Sequence, residues 1–223
     1  MRYSRQSHGN LTDLLLGHAD QKMIKTILFD LGNVIIPVDF RRCHEALARV
    51  CPHPPESVPQ LIGRTGLPRR FEQGEISAEE FVAETCRLLD MKITYAEFWD
   101  VWTRIFLPET LIPESLLEGL RRNQRLLLLS NTNCIHFQMA QERYPLLRNF
   151  DGYVLSYEVG VLKPAPGIYR EAIARAGCRA EECLFIDDLA VNVEAARKEG
   201  MEATQFLSLD QLQEELRARG LEW

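Results

Sequence analysis

The sequence predicts an α/β fold, a doubly wound parallel sheet of the Rossmann-like type with a small all-helical cap inserted after its first strand. From residue 107 onward, short apolar runs alternate with helical patterns, which is typical of parallel βαβ units. Residues 41–106 show helical patterns only. One more apolar run, Thr26 to Phe29, precedes that helical block. The block therefore interrupts a sheet that has already begun.

The composition favours an ordinary globular protein. The chain has 223 residues, of which 46% are hydrophobic and 26% charged, and this length fits one large domain or a core with a smaller insert. A net charge of -6 argues against nucleic acid as a partner. Since no apolar run approaches the roughly 18 residues that span a bilayer, we expect a cytoplasmic protein without a membrane partner.

Three parts are expected along the chain. Residues 1–22 form a polar N-terminal extension, for which disorder is one interpretation and a true start at Met23 another. Residues 23–40 and 107–223 form the α/β core, and residues 41–106 form the helical cap. The six cysteines show neither a C-x-x-C pair nor zinc-ligand spacing, so we expect reduced thiols.

Helix starts and breaks divide the predicted cap. A helix over residues 41–50 is ended by the proline-rich stretch 51–55, and two short helices follow over 56–62 and 67–73. The stretches Ser77–Glu80 and Thr94–Glu97 match capping boxes. Each opens a helix whose apolar residues recur at helical spacing.

The core elements follow in alternation. Strands are predicted over 26–29, 125–129, 152–156, 183–186 and 203–206. Helices are predicted after Pro113, within 134–148, over 168–176, through Val193 to Gly200, and after the cap residue Ser208.

Polar groups follow the strands at their carboxyl ends, the edge where open parallel sheets bind ligands. These groups are Asp30, Ser130 with Asn131, Lys163, and Asp187 with Asp188. Carboxylates suit Mg²⁺, a hydroxyl and helix-start N–H groups suit phosphate, and aspartate can act as a nucleophile. Each group alone is explained as well by a turn, a helix cap or a solvated loop. Their joint placement favours one site.

Four motifs carry a resemblance to a known family: FDLGNV at 29–34, LLLSNTN at 127–133, the lysine of LKP at 162–164, and FIDDLAVNVEAA at 185–196. With these motifs the sequence resembles the haloacid dehalogenase-like hydrolases over nearly all of residues 23–223. Within them it is most similar to bacterial sugar-phosphate phosphatases of the glucose-1-phosphatase type, and to the phosphatase domain of soluble epoxide hydrolases.

The resemblance implies a Mg²⁺-dependent phosphatase that acts on a small phosphorylated metabolite, with a sugar phosphate as the expected substrate. Asp30 would be the catalytic nucleophile, which forms an aspartyl-phosphate, and also a metal ligand. Asp188 would be the second acidic metal ligand, with Asp187 supporting it, and the backbone carbonyl of Gly32 would complete the set of protein ligands.

The same resemblance assigns the phosphate-binding groups. Ser130 and the backbone of Asn131 would hold the transferring phosphoryl group. Lys163 would neutralise charge on the nucleophile and on the phosphate, as both a catalytic and a substrate-binding residue. Asn192 matches a supporting position that has lost its carboxylate here.

One departure from the family pattern concerns Gly32. Most phosphatases of the superfamily carry a second aspartate there as general acid and base, and glycine cannot protonate a leaving group. Two alternatives therefore stay open: a metal-independent 2-haloacid dehalogenase, and a catalytically impaired phosphate-binding or regulatory member. The oligomeric state is open between a monomer and a weak homodimer.

Overall fold

The computed structural model describes residues 23–223, which contain a five-stranded sheet of order β3-β2-β1-β4-β5. Its strands are β1 (Thr26–Phe29), β2 (Arg125–Ser130), β3 (Gly152–Leu155), β4 (Cys183–Asp187) and β5 (Glu202–Gln205). Every neighbouring pair runs parallel. The predicted parallel sheet is confirmed, whereas the predicted extension over residues 1–22 lies outside the described residues.

Helices cover both faces of the sheet and fill the segment between β1 and β2. They are α1 (Phe40–Ala48), α2 (Val58–Thr65), α3 (Leu67–Glu72), α4 (Ala78–Leu88), α5 (Tyr95–Trp102), α6 (Glu114–Leu120), α7 (Cys134–Arg143), α8 (Ser156–Val159), α9 (Pro166–Ala176), α10 (Ala190–Lys198) and α11 (Leu209–Ala218). Short 3₁₀ turns lie at Thr103–Ile105, Pro145–Asn149 and Ala180–Glu182. Among residues 23–223, no helix is both long and apolar enough to cross a membrane.

The strands alternate their side chains between two apolar layers, as the two-residue period of a strand requires. Leu28, Leu127 and Phe185 point to one face, where residues of α9 and α10 cover them. Ile27 and Phe29 point to the other face and join a larger cluster that extends into the helical segment. Because both faces are buried, the central strands β1, β2 and β4 are apolar over most of their length.

Both predicted capping boxes are present. The Ser77 hydroxyl accepts a hydrogen bond from the Glu80 backbone N–H at 3.1 Å, and the Glu80 carboxylate accepts one from the Ser77 N–H at 2.8 Å. Thr94 and Glu97 repeat the arrangement at 3.3 and 2.7 Å. These caps fix the starts of α4 and α5 where the sequence places them.

The chain enters and leaves the helical segment through two adjacent stretches. Val38 and Phe106 form an antiparallel bridge. The Asp39 N–H donates to the Ile105 carbonyl at 2.8 Å, and the Leu107 N–H donates to the Pro37 carbonyl at 3.1 Å. A short two-stranded connection therefore attaches helices α1 to α5 to the sheet.

One predicted strand is too long by a residue. The third strand ends at Leu155, and Ser156 begins the one-turn helix α8. The Ser156 hydroxyl accepts from the Thr132 N–H and donates to the Thr132 carbonyl, both at 3.0 Å. These two hydrogen bonds hold Ser156 against the Thr132 backbone at the point where β3 ends and α8 begins.

A tight turn at Gly74 packs the helical segment against α8. Gly74 has a φ of +68°, and a Cβ at this position would lie 2.1 Å from the Tyr157 carbonyl oxygen. Only glycine combines the left-handed backbone with so close an approach. The contact between Gly74 and α8 thus depends on the absence of a side chain at residue 74.

We predict that Gly74→Ala lowers the free energy of unfolding by roughly 2 to 4 kcal/mol, because strain at positive φ adds to overlap with the Tyr157 backbone. Urea unfolding of the purified chain measures the change. Gly63→Ala is the matched control, since Gly63 lies in α2 and a Cβ added there would meet nothing within 4 Å. The control should be neutral or stabilising by about 0.5 to 1 kcal/mol, and equal losses in both variants would contradict the packing described.

Candidate active site

The polar strand ends meet at one edge of the sheet. Asp30 follows β1, Ser130 ends β2, and Asp187 ends β4 with Asp188 next in the chain. One carboxylate oxygen from each of Asp30, Asp187 and Asp188 lies within 4.8 Å of the others. The convergence that parallel strands predict is therefore present for the three carboxylates.

Lys163 joins two of these carboxylates. Its ammonium Nζ lies 2.8 Å from Asp30 Oδ1 and 2.7 Å from Asp187 Oδ2, and it donates to the Leu129 carbonyl at 3.1 Å. Burial alone would lower the pKa of Lys163, but the two carboxylates outweigh burial and its pKa is raised. The lysine is therefore a fixed buried cation and not a solvated loop residue.

Asp187 accepts more hydrogen bonds than the other two carboxylates. It is fully buried and accepts from the Leu189 N–H at 2.8 Å and from Asn192 Nδ2 at 3.0 and 3.1 Å, besides its contact with Lys163. Asn192 therefore supports the site with its amide hydrogens, as the resemblance implies. This hydrogen bonding suits Asp187 to orienting Lys163 better than to direct metal binding.

Asp30 and Asp188 have fewer protein partners. Burial raises the pKa of Asp30 to about 6, although Lys163 opposes the rise. Burial and the charge of Asp187 also raise the pKa of Asp188, which is half-buried and receives a contact of 3.4 Å from Asn33 Nδ2. These two carboxylates retain oxygens for a cation. Hard carboxylate oxygens at this spacing fit Mg²⁺.

The turn after β1 contains Gly32, two residues after Asp30. Asn33 adopts a left-handed φ of 55°, and its Oδ1 accepts from the Val38 N–H at 3.0 Å. A Cβ on Gly32 would meet only Val38 Cγ2, at 3.4 Å. An ordinary contact of this kind leaves room for a side chain, so packing does not require the glycine.

Ser130 and Asn131 lie beside the carboxylates, and Asn131 has a role that the sequence analysis missed. Within residues 23–223, the hydrogen bond of the buried Ser130 hydroxyl is a long one to the Asn131 carbonyl, at 3.5 Å, so the hydroxyl remains available to a ligand. The Asn131 side chain donates to the Lys163 carbonyl at 3.0 Å and accepts from the Lys163 N–H at 2.8 Å. It therefore positions the lysine backbone. No local pattern signals a contact across 32 residues.

His136, which the sequence places in a helix next to this edge, links the site to the helical segment. It lies in the first turn of α7, its Nε2 donates to the Trp102 carbonyl at 3.1 Å, and its Nδ1 accepts from Asn133 Nδ2 at 3.0 Å. The imidazole also stacks on the Trp102 ring at 5.4 Å. Burial lowers the pKa of His136 to about 4. It is thus a neutral structural residue.

Comparison with known proteins agrees with this geometry. A family model described as haloacid dehalogenase-like hydrolase matches residues 24–200. The chain belongs to the haloacid dehalogenase-like hydrolases. The family that the motifs indicated is thereby confirmed, and with it the predicted fold.

Individual relatives narrow the class of this hydrolase. The D-ribitol-5-phosphate phosphatase of Bacteroides thetaiotaomicron is 31% identical over 189 residues, which cover 82% of this chain and 92% of the relative. An enzyme of the same family from that organism, bt-2542, was crystallised with magnesium and inorganic phosphate; it matches with a TM-score of 0.74 and 27% identity, covering 83% of this hydrolase and 96% of that chain. The predicted class, a phosphoric monoester hydrolase, is confirmed.

The resemblance to epoxide hydrolases is only partial. The bifunctional epoxide hydrolase 2 of Rattus norvegicus is 35% identical over 63 residues, which are 28% of this hydrolase and 11% of that protein. A match of 63 residues gives no information about similarity between the remaining parts of the two proteins.

We predict that acid destabilises this hydrolase through His136. Its pKa is lowered from 6.5 to about 4 in the folded chain, so the unfolded chain binds the proton first as the pH falls. The stability contributed by the neutral imidazole is complete above pH 6.5 and is lost between pH 6.5 and about 4, up to roughly 3 kcal/mol.

Urea unfolding between pH 4 and 8 measures this loss in the wild type and in His136→Phe. The variant should be less stable at pH 7, because Asn133 and the Trp102 carbonyl lose a partner. Its stability should nevertheless fall less steeply with acid. Parallel pH curves for the two proteins would contradict the assignment.

Proposed function

We propose that this hydrolase is a Mg²⁺-dependent phosphatase that hydrolyses a small phosphorylated metabolite through an aspartyl-phosphate on Asp30. The observation that carries the proposal is the group formed by Lys163 and the three carboxylates at the sheet edge. With every carboxylate ionised, the group has a formal charge of -2. A divalent cation balances this charge, and a phosphate ester adds its own negative oxygens beside the cation.

Asp30, Asp188 and the Gly32 carbonyl would hold the cation, with Asp187 supporting them. When bound, Mg²⁺ supplies positive charge next to the phosphoryl oxygens. The predicted cofactor agrees with the magnesium and phosphate present in the bt-2542 crystals. The donor set of this hydrolase fits the ion, because all of its ligands would be oxygen atoms.

The chemistry follows from the chain's own groups. A carboxylate oxygen of Asp30 attacks phosphorus while the bond to the leaving oxygen breaks, and water then hydrolyses the aspartyl-phosphate. Lys163 keeps Asp30 ionised and in place by its contact of 2.8 Å. The Ser130 hydroxyl and the backbone N–H of Asn131 would hold the phosphoryl oxygens as charge develops on them.

The substrate is proposed as a sugar or sugar-alcohol phosphate. The named activity of the Bacteroides relative supports this choice. We also propose that residues 41–106 act as a cap. A short two-stranded connection joins them to the sheet, and the turn at Gly74 packs on α8, which follows the carboxyl end of β3. A cap excludes water and large polymers from a small site.

The dehalogenase alternative fits this site less well. A metal-independent displacement could use Asp187 to orient Lys163, but it has no use for Asp188, and burying uncompensated charge is costly. A panel of candidate substrates distinguishes the two functions. It contains D-ribitol 5-phosphate, hexose phosphates, nucleoside monophosphates and 2-chloropropionate. Halide release without Mg²⁺ would favour the dehalogenase.

We predict that Asp30→Asn lowers phosphate release from an aryl phosphate by at least about 10³-fold, because it removes the nucleophile. Chelation of Mg²⁺ should abolish activity in the wild type. Glu181→Gln is the control, because Glu181 lies in the turn before β4, at the opposite edge of the sheet from the three carboxylates; this variant should retain full activity.

The same experiment detects the intermediate. Acid-quenched wild type, digested with trypsin, should carry phosphate on the fragment of residues 26–41, and Asp30→Asn should not. An Asp30→Asn variant with activity near the wild type would exclude the nucleophile assignment. A wild type without activity on any phosphate ester would favour the phosphate-binding alternative.

We predict that Gly32→Asp accelerates turnover of substrates with poor leaving groups, such as alkyl phosphates, because a general acid typically contributes about 10² to 10⁴ in rate. The position has space for the side chain. Gly32→Asn is the control, with similar shape but no acidic proton. Comparison of kcat for an alkyl and an aryl phosphate measures the effect, and equal rates for the two variants would indicate that another group already donates the proton.

A further inference from the structure

Two thiols lie together at the edge of the sheet opposite the carboxylates. The sulfur atoms of Cys178 and Cys183 are 3.4 Å apart. Cys183 is the first residue of β4, and Asp187 is its last. At a strand rise of roughly 3.3 Å per residue, the pair is about 13 Å from the catalytic edge. The two thiols are therefore separate from the site already described.

The two cysteines differ in access. Cys183 is fully buried, and its thiol contacts the Arg179 carbonyl at 3.6 Å. Cys178 is half-buried, contacts Thr26 Oγ1 at 3.5 Å, and lines an open surface depression with Lys25 and Arg179. Burial raises the pKa of Cys183, which keeps it a thiol. A dissolved oxidant therefore meets Cys178 first.

We propose that Cys178 and Cys183 form a reversible intramolecular disulfide when the protein meets a peroxide. The Cys178 thiolate attacks one peroxide oxygen, so that an S–O bond forms and the O–O bond breaks, and the departing hydroxide takes a proton to become water. The sulfur of Cys183 then attacks the Cys178 sulfenic acid. An S–S bond forms, the S–O bond breaks, and the Cys183 proton leaves with the hydroxide as a second water. The two thiols thus lose two electrons and two protons to the peroxide.

The geometry favours closure over further oxidation of Cys178. A disulfide needs a sulfur separation of about 2.05 Å, so the atoms must approach by roughly 1.4 Å. Cys183 is fixed by strand pairing with β1, whereas Cys178 lies in the connection between α9 and β4, directly after Gly177, whose φ is +68°. Cys178 is therefore the partner that moves. A resolving thiol this close competes well with a second peroxide.

The experiment uses the full chain treated with hydrogen peroxide, blocked with N-ethylmaleimide, denatured and digested with trypsin. Cleavage after Arg179 separates the two cysteines, so the disulfide appears in mass spectra as fragment 176–179 joined to fragment 180–197. The joined pair should form in the wild type and in Cys86→Ser, a control at another half-buried thiol. Dithiothreitol should release it.

Two further variants test the order of events. Cys178→Ser and Cys183→Ser should give no joined pair, and Cys183→Ser should accumulate a sulfenic acid on Cys178 that dimedone traps. A wild type that yields Cys178 sulfinic acid, or the joined pair only in dimers on a non-reducing gel, would overturn the proposal. The wild-type spectrum decides the matter even where a variant fails to fold.

Discussion

The ammonium group of Lys163, held between Asp30 and Asp187, is the interaction on which the site depends. Each ion buried away from water costs several kcal/mol unless its partners are complete. Here both carboxylates and the Leu129 carbonyl surround Nζ at 2.7 to 3.1 Å. Because Lys163 has one positive charge and its neighbourhood three carboxylates, the group retains negative charge. The contacts with Lys163 stabilise Asp30 and Asp187, and the negative charge that remains attracts a divalent cation.

Lys163 reaches this position although it lies outside the strands. It follows the helix α8, and its backbone is fixed by two hydrogen bonds to the Asn131 side chain, at 2.8 and 3.0 Å. Asn131 itself follows β2, next to the strand that leads to Asp30. The central strands thus position both Asp30 and its counter-ion. A displacement of β2 would move Ser130, Asn131 and Lys163 together.

The sequence is sufficient to predict the sheet, the helical insert and the carboxylates, because each depends on local patterns. Apolar runs locate the strands, capping boxes locate α4 and α5, and parallel connectivity brings the strand ends to one edge. The contact between Asn131 and Lys163 and the stacking of His136 on Trp102 were not predictable. Both join residues more than thirty positions apart, and both depend on side-chain directions that no periodicity encodes. The end of β3 was mispredicted for the same reason. The Ser156 hydroxyl bonds to the backbone of Thr132, which is distant in sequence, and the strand ends at Leu155.

The turn after Asp30 contains Gly32, where most phosphatases of the superfamily carry an acid, and Asn33. Asn33 occupies a left-handed conformation that usually favours glycine. In return its side chain accepts from the Val38 N–H and lies 3.4 Å from Asp188. The turn thereby helps to orient Asp188, which we propose as a metal ligand, and leaves only a backbone carbonyl at Gly32. Glycine at this position has no proton to donate to a leaving group. Since a Cβ at Gly32 would make only an ordinary contact with Val38, the absence of an acid there follows from the residue that the chain carries and not from packing.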